Sequence, residues 1–235
     1  MANTSPRSAE RVARDVADQG PGAALAPELA EWLAGSPRFA AFVAEHRSKV
    51  HKKLRGATDA AAVRDVRAEL AVARLLLSDR RFELAFEAYG RRGGPDFTVT
   101  YRAGRPFNLE VTRMRRPPDT AGVVGVVLGK LRQLPPSAAN LLLVAAEDGS
   151  AGAVDVGAAV RAVRTRADAK DEAYFAYRGI PGTSVFYDRF LRLAGILLWS
   201  EPSAGGPRAT AWTNGSARIA VPDAAIRALL ACLGA

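Results

Sequence analysis

Hydrophobic positions in the first third of the chain recur mostly at the three-to-four-residue spacing of amphipathic helices. Residues 1–25, rich in Ala, Gly, Pro and charge, are expected to form a frayed leader. Helices are predicted over residues 27–33 and 37–54, and a stronger one over residues 59–78, where an apolar stripe begins at Val63. The chain is therefore predicted to open with a helical region.

Strand-like patterns follow the long helix. A strand is predicted over residues 82–89, and a hairpin is predicted over residues 96–101 and 106–114 after a Gly-rich break at residues 90–94. Gly104 is expected to supply the positive φ that a short hairpin turn favours.

The second half of the chain alternates helices with apolar strands. A helix over residues 119–134 precedes a strand over residues 140–146, whose unbroken apolar run is typical of a central strand. Further elements are predicted as helix 154–167, a long loop through Gly182, helix 187–193, strands 195–199 and 210–213, and helix 222–233. The order helix, three strands, helix, strand predicts an α/β fold in which an antiparallel meander leads through a helical crossover to a parallel strand.

These elements divide the chain into three predicted segments. Residues 1–58 form an N-terminal helical extension, residues 59–170 form the core, and residues 171–235 extend the core sheet and end in a helix. A chain of 235 residues is long enough to bury a sizeable core. No apolar run is long enough to span a membrane and no secretion signal is visible, so we expect a cytoplasmic protein without a membrane partner.

Composition narrows the partners and the chemistry. The net charge is +9, from 33 Lys and Arg against 24 Asp and Glu, and most of the cations are arginine, whose planar fork suits phosphate oxygens. Nucleic acid is the expected partner, with DNA the first choice. A basic cluster at residues 46–53 fits this partner, and it fits equally a helix C-terminus that complements the helix dipole. The single cysteine, Cys232, excludes an internal disulfide and a cysteine-based zinc cluster.

The predicted hairpin brings two carboxylates together. A turn centred near Ala103 sets Asp96 opposite Glu110, with both side chains on one face and about 5 Å apart at Cβ. Opposed carboxylates repel each other, and a divalent cation removes that repulsion. Hard oxygen ligands suit Mg²⁺ or Mn²⁺, which can activate water and stabilise a phosphoryl transition state. The pair therefore predicts a metal site.

The same residues resemble the motifs of the PD-(D/E)XK nuclease superfamily. The segments GPDF at residues 94–97 and NLEVT at residues 108–112 are similar to its Pro-Asp and (Asp/Glu)-x-Lys motifs, and the element order is that of its restriction-endonuclease-like core. The resemblance implies that the two motif carboxylates and the Val111 carbonyl bind the metal ion. It also implies that Glu69, on the first core helix, binds a second ion or orients water.

One departure from the family motif concerns its lysine. Thr112 occupies the lysine position and cannot supply a positive charge. Some family members take this lysine from a neighbouring helix, and Lys130 is the only lysine between residues 54 and 169. The segment KLRQLP at residues 130–135 is similar to a Lys-x-x-Gln helix end in some branches. This likeness implies that Lys130 supplies the charge and that Gln133 contacts phosphate or water.

The resemblance leads to the hypothesis of a metal-dependent nuclease that cleaves DNA or, alternatively, RNA, and a homodimer would provide a site for each strand of a duplex. Five arginines near the hairpin would hold the nucleic-acid backbone: Arg91, Arg92, Arg113, Arg115 and Arg116. Two other hypotheses stay open. The chain can be an inactive nucleic-acid-binding or assembly module, which the threonine in the motif favours, or a scaffold without a nucleic-acid partner, which its scattered arginines favour.

Each candidate residue also has a simpler explanation. Asp96 can be a turn residue, Glu110 can be a polar residue on a solvated face, and Glu69 can be a solvent-facing helix residue. Lys130 can complement the dipole of its own helix, and Gln133 can be a polar residue at a helix end. The sequence leaves both sets of explanations open.

Overall fold

A computed structural model describes residues 6–18, 20–89, 94–115, 119–146, 154–200 and 209–235. Contacts between residues divide the chain into two compact units, Met1–Phe82 and Glu83–Ala235. The predicted core helix at residues 59–78 lies in the N-terminal unit, and the predicted C-terminal segment lies in the same unit as the hairpin. No helix among the described residues is long and apolar enough to cross a membrane.

The described part of the N-terminal unit is helical. Its helices are α1 (Pro6–Val16), α2 (Ala26–Gly35), α3 (Pro37–Glu45), α4 (Arg47–Gly56) and α5 (Ala60–Leu77), with a 3₁₀ turn at Gly20–Leu25. The expectation of a frayed leader is wrong, because Ala9, Ala13 and Val16 recur at helical spacing and bury one face of α1. The predicted helix over residues 37–54 is two helices, since His46 departs from helical geometry with φ −102° and ψ 18°.

The C-terminal unit is built on a six-stranded mixed sheet. Its strands are β1 (Phe82–Phe86), β2 (Phe97–Tyr101), β3 (Phe107–Arg113), β4 (Ala139–Ala146), β5 (Leu193–Ser200) and β6 (Ala209–Thr213), and they lie side by side in chain order. The β2–β3 and β5–β6 pairs are antiparallel, whereas the β3–β4 and β4–β5 pairs are parallel. The prediction of an α/β fold with a mixed sheet is therefore confirmed.

The described residues of this unit also form five α-helices: α6 (Thr120–Lys130), α7 (Val156–Asp168), α8 (Glu172–Tyr177), α9 (Thr183–Phe190) and α10 (Asp223–Leu233). Every residue of β4 and β5 is buried, and one hydrophobic cluster joins these strands to α6, α7 and α9. The prediction of a loop through Gly182 is wrong, because α8 lies within it. Asp171 caps that helix by accepting a hydrogen bond from the Tyr174 amide, and Phe175 is buried in the core.

The hairpin that carries the two motif segments has the predicted register. Phe97 pairs with Leu109 and Val99 pairs with Phe107, which is the pairing that a turn centred near Ala103 predicts. The prediction for Gly104 is wrong, because the positive φ values belong to Arg102 (51°) and Ala103 (54°). Gly104 is needed instead for a close approach. Its amide donates to the Tyr101 carbonyl at 2.9 Å, and a Cβ there would lie 2.9 Å from that oxygen.

Candidate active site

Strand β3 carries Glu110 into the interior of the sheet. The residues Phe107–Val111 are all buried, because β3 lies between β2 and β4. Glu110 is only 4% exposed, so the interpretation of this residue as a polar group on a solvated face is wrong. A carboxylate at this depth needs a cation or hydrogen-bond donors beside it.

A lysine from the end of α6 lies beside this carboxylate. Lys130 Nζ is 2.7 Å from Glu110 Oε1, and the exposed fractions of the two side chains are 27% and 5%. Helix α6 begins after its cap, Asp119, which accepts a hydrogen bond from the Gly122 amide at 2.6 Å, and it ends at Lys130. The length of this helix therefore sets which residue reaches β3. The structure brings together a lysine and a carboxylate that the sequence places twenty residues apart.

Asp96 lies immediately before β2, and its side chain contacts β3, the strand that carries Glu110. Extending the β2–β3 register by one residue sets Asp96 opposite Glu110. Asp96 Oδ2 accepts a hydrogen bond from the Val111 amide at 2.9 Å, so its carboxylate is held against the residue that follows Glu110. The interpretation of Asp96 as a simple turn residue does not account for this contact, because its partner lies 15 residues away rather than in its own turn.

A cleft of about 660 Å³ opens beside these groups. The residues that line it are Gly94, Glu110, Lys130, Arg132, Gln133, Leu134, Pro135, Pro136 and Arg192. Three of the five residues predicted to be catalytic, Glu110, Lys130 and Gln133, therefore share one cavity. Its lining has three cationic side chains and one carboxylate, so the cleft favours an anionic ligand.

An ion-pair network holds Arg192 on the cationic side of the cleft, the side formed by Lys130, Arg132 and Arg192. Arg192 and Arg218 both pair with Asp188, and Arg218 Nη2 lies 2.9 Å from its Oδ1. Hydrogen bonds from Arg218 and then from Arg192 hold the pKa of Asp188 below its ordinary value. Asp188 therefore stays ionised at neutral pH and keeps Arg192 at the cleft. Arg132, by contrast, is exposed and has no side-chain partner among the residues that the structure describes.

A buried pair of asparagines lies behind the cleft, and sequence analysis did not identify it. Asn108 and Asn140 occupy paired positions of β3 and β4, and Asn108 Nδ2 donates to Asn140 Oδ1 at 2.9 Å. Asn108 also contacts the Tyr89 hydroxyl at 3.0 Å. A sequence signal existed in β4, because Asn140 is the one amide in an otherwise apolar run and buried amides must be hydrogen-bonded.

The other predicted site residues are not among those that line the cleft, and some of them are outside the described residues. Glu69 belongs to the N-terminal unit. There its Oε2 lies 2.5 Å from Nζ of Lys53, so this carboxylate is paired with a lysine of the preceding helix. Arg113 is half-buried at the end of β3, and Arg115 is exposed just beyond it. The remaining three predicted arginines, Arg91, Arg92 and Arg116, lie outside the described residues.

The donor groups at the candidate site fit Mg²⁺ or Mn²⁺. Within the described ranges no group of three or more His, Cys, Asp or Glu side chains is arranged to hold a metal ion. Mg²⁺ does not need one, because it is usually bound through one or two carboxylates and keeps several water molecules. Asp96, Glu110 and the Val111 carbonyl would supply hard oxygen donors of that kind.

Comparisons with protein-family models, curated proteins and solved structures find no match to this chain. The assignment to the nuclease superfamily therefore stays a prediction, supported by the motif residues and their positions on the sheet.

Proposed function

We propose that this protein is a Mg²⁺- or Mn²⁺-dependent nuclease with a restriction-endonuclease-like core, which hydrolyses phosphodiester bonds in DNA or, alternatively, RNA. The observation that carries the proposal is the 2.7 Å contact between Lys130 Nζ and Glu110 Oε1 at the cleft. This contact supports a relocated lysine, because it sets a cation beside the motif carboxylate where the motif position itself holds Thr112.

Each residue of the site has a role in this proposal. Asp96, Glu110 and the Val111 carbonyl would hold the metal ion, which when bound supplies Lewis-acid activation of water and neutralises phosphate charge. Lys130 stabilises the negative charge that develops on the phosphate oxygens. Gln133, exposed at the rim, hydrogen-bonds to a phosphate oxygen or to water.

The reaction needs only water as a co-reactant. The oxygen of water forms a bond to phosphorus, and the phosphorus–oxygen bond to the leaving sugar breaks. The attacking water loses a proton to solvent, and the leaving oxygen gains one from solvent. The chain's own contribution is to position the phosphate and to stabilise its charge.

A second candidate function is a nucleic-acid-binding or assembly module that has lost catalysis. The observation that favours it is Thr112, which lies on β3 two residues beyond Glu110 and carries no charge. In this case the Lys130–Glu110 pair would only stabilise the fold. The two candidates differ in whether the site supports metal-dependent cleavage.

The proposal is tested by cleavage of labelled single- and double-stranded DNA and RNA in Mg²⁺, in Mn²⁺ and in EDTA. Asp96→Asn and Glu110→Gln each remove a carboxylate at nearly constant volume, and Glu83→Gln is the matched control because Glu83 is an exposed carboxylate on β1. We expect each site variant to lose more than about 100-fold in rate, since even outer-sphere partners of a metal cost 10- to 100-fold. Cleavage that survives in both site variants, or that persists in EDTA, contradicts the proposal.

A further inference from the structure

The cleft beside Glu110 contains features that the proposed chemistry does not use. Arg132 and Arg192 line it together with Lys130, yet the reaction requires only one of these cations next to the motif carboxylate. Arg132 is exposed and lacks a side-chain partner among the described residues, so its guanidinium can bind a ligand without first breaking a contact. A planar guanidinium matches the geometry of phosphate oxygens. The cleft therefore has capacity for a phosphate beyond the one that reacts.

One wall of the cleft is apolar and rigidly held. It consists of Leu134, Pro135 and Pro136. The two proline rings restrict the backbone, and the Asn140 side-chain nitrogen lies 2.9 Å from the Pro135 carbonyl oxygen. The same nitrogen lies 2.9 Å from the carbonyl oxygen of Arg192, so one buried amide fixes both the apolar wall and the cationic side. A preformed wall of this kind reduces the entropy lost when a ligand binds.

The size of the cleft and the depth of Glu110 limit how a nucleic acid can enter. A volume of about 660 Å³ lies within the usual range for small-molecule sites, so only a short stretch of a nucleic acid can occupy the cleft. Glu110 is 4% exposed, and a reacting phosphate must come into the cleft to reach it. A duplex is stiff, and bending its backbone into a cleft costs free energy that a flexible single strand does not pay.

We infer that the substrate of this site is single-stranded nucleic acid, with Arg132 and Arg192 as contacts to a phosphate next to the reacting one and Pro135 and Pro136 as the surface against its sugar or base. The inference depends on the proposed function for the cleavage step. For binding, the inference is independent of the proposed function, because the cations and the preformed wall can bind a single strand without a metal ion.

Binding is measured by fluorescence anisotropy in EDTA, where metal-dependent cleavage cannot occur. The probes are a short labelled DNA strand, the same sequence in RNA, and the corresponding blunt duplex. Arg132→Gln removes the exposed cation, and Arg227→Gln is the matched control because Arg227 is an exposed arginine on α10 that does not line the cleft. Each protein is titrated over a series of salt concentrations.

We expect the wild type to bind a single strand more tightly than the duplex. A difference in affinity between the DNA strand and the RNA strand would report contacts to the 2′-hydroxyl. Arg132→Gln should weaken single-strand binding about tenfold and lower the salt-dependence slope by about 0.7, the value for one lost phosphate contact. Equal affinity for the duplex, or identical behaviour of Arg132→Gln and Arg227→Gln, overturns the inference.

The two proposals fail in different ways. Single-strand binding that depends on Arg132, without cleavage in Mg²⁺ or Mn²⁺, supports the single-strand site and overturns only the nuclease. Cleavage of the duplex at the rate of the single strand overturns the single-strand inference and leaves the nuclease intact.

Discussion

Two lysine–glutamate pairs in this protein have similar chemistry and different surroundings. In the N-terminal unit Lys53 Nζ lies 2.5 Å from Glu69 Oε2, and the exposed fractions of the side chains are 22% and 12%. In the C-terminal unit Lys130 Nζ lies 2.7 Å from Glu110 Oε1, and the corresponding fractions are 27% and 5%. Distance and burial alone do not distinguish the two pairs.

The surroundings of the pairs do distinguish them. The first pair joins α4 to α5. The second pair joins α6 to β3 and lies at the edge of the cleft. On β3 the residue after Glu110, Val111, donates its amide hydrogen to Asp96. A buried ion pair by itself is weak support for function, because pairs of this kind also occur as structural contacts. We therefore assign chemistry to the pair at the cleft and stability to the pair between the helices.

The largest expected effect separates the two lysines by activity. Lys130→Met should slow Mg²⁺-dependent cleavage about 100-fold or more, because it removes a preorganised charge from the reacting phosphate. Lys53→Met should leave the rate per folded molecule unchanged. Initial rates, corrected for the folded fraction by circular dichroism, measure both. Equal loss in the two variants would remove the distinction between the pairs.

The next effect concerns the asparagine that holds the cleft wall. Asn140→Ala should lower the free energy of unfolding by about 2 kcal/mol, because the part-buried carbonyl groups of Pro135 and Arg192 lose their donor. It should also weaken single-strand binding. Denaturant unfolding and anisotropy measure the two effects.

The matched control for this variant is Asn214→Ala. Asn214 is buried in the same unit and donates to the carbonyl groups of Phe190 and Leu193. It should destabilise the unit to a similar extent and leave single-strand binding unchanged. If both variants reduce binding equally, the effect of Asn140 is one of stability alone.

A smaller effect is expected for the structural pair. Lys53→Met should destabilise the N-terminal unit by about 1 kcal/mol, between the values for exposed and fully buried pairs. Hydrogen exchange of α4 and α5 amides measures this locally, with Lys52→Met as the control because Lys52 is the exposed neighbour on α4. Unchanged exchange in Lys53→Met would argue against a stabilising role for the pair.

The smallest effect is a pH dependence in the N-terminal unit. Burial lowers the pKa of His46, which packs against Phe42 with ring centroids 4.7 Å apart. The folded unit therefore binds the proton more weakly than the unfolded chain, so its stability is full above pH 6.5 and falls as the pH drops below that value. Hydrogen exchange of α3 and α4 at two pH values should show this loss in the wild type. The loss should be smaller in His46→Gln and retained in His51→Gln.

Local patterns predicted much of the fold and part of the candidate site. Helix α5 followed from side-chain periodicity and the hairpin register from the position of its turn, and Asp59 caps α5 as its position before the apolar stripe suggests. The proximity of Lys130 and Glu110 depends on where α6 ends. A shift of α6 by one residue would rotate the Lys130 side chain around the helix axis by about 100°. The sequence alone could therefore suggest this contact but not establish it.

The features that sequence analysis missed depend on tertiary packing or on short elements. Arg192 reaches the cleft because β5 runs parallel to β4 and begins beside Asn140, a pairing between distant segments. Helix α8 has six residues, too few for a period to show. The break at His46 interrupts an apolar pattern that continues through it, and the turn uses Arg102 and Ala103 at positive φ where glycine was expected.

The most direct test of the central claim compares the two glutamates. Mg²⁺-dependent cleavage of a labelled single strand is measured for the wild type, Glu110→Gln and Glu69→Gln at equal folded fraction. The account predicts that Glu110→Gln loses more than about 100-fold in rate, while Glu69→Gln retains the wild-type rate. Full activity in Glu110→Gln, or an equal loss in folded Glu69→Gln, would contradict the assignment of chemistry to Glu110 rather than to Glu69.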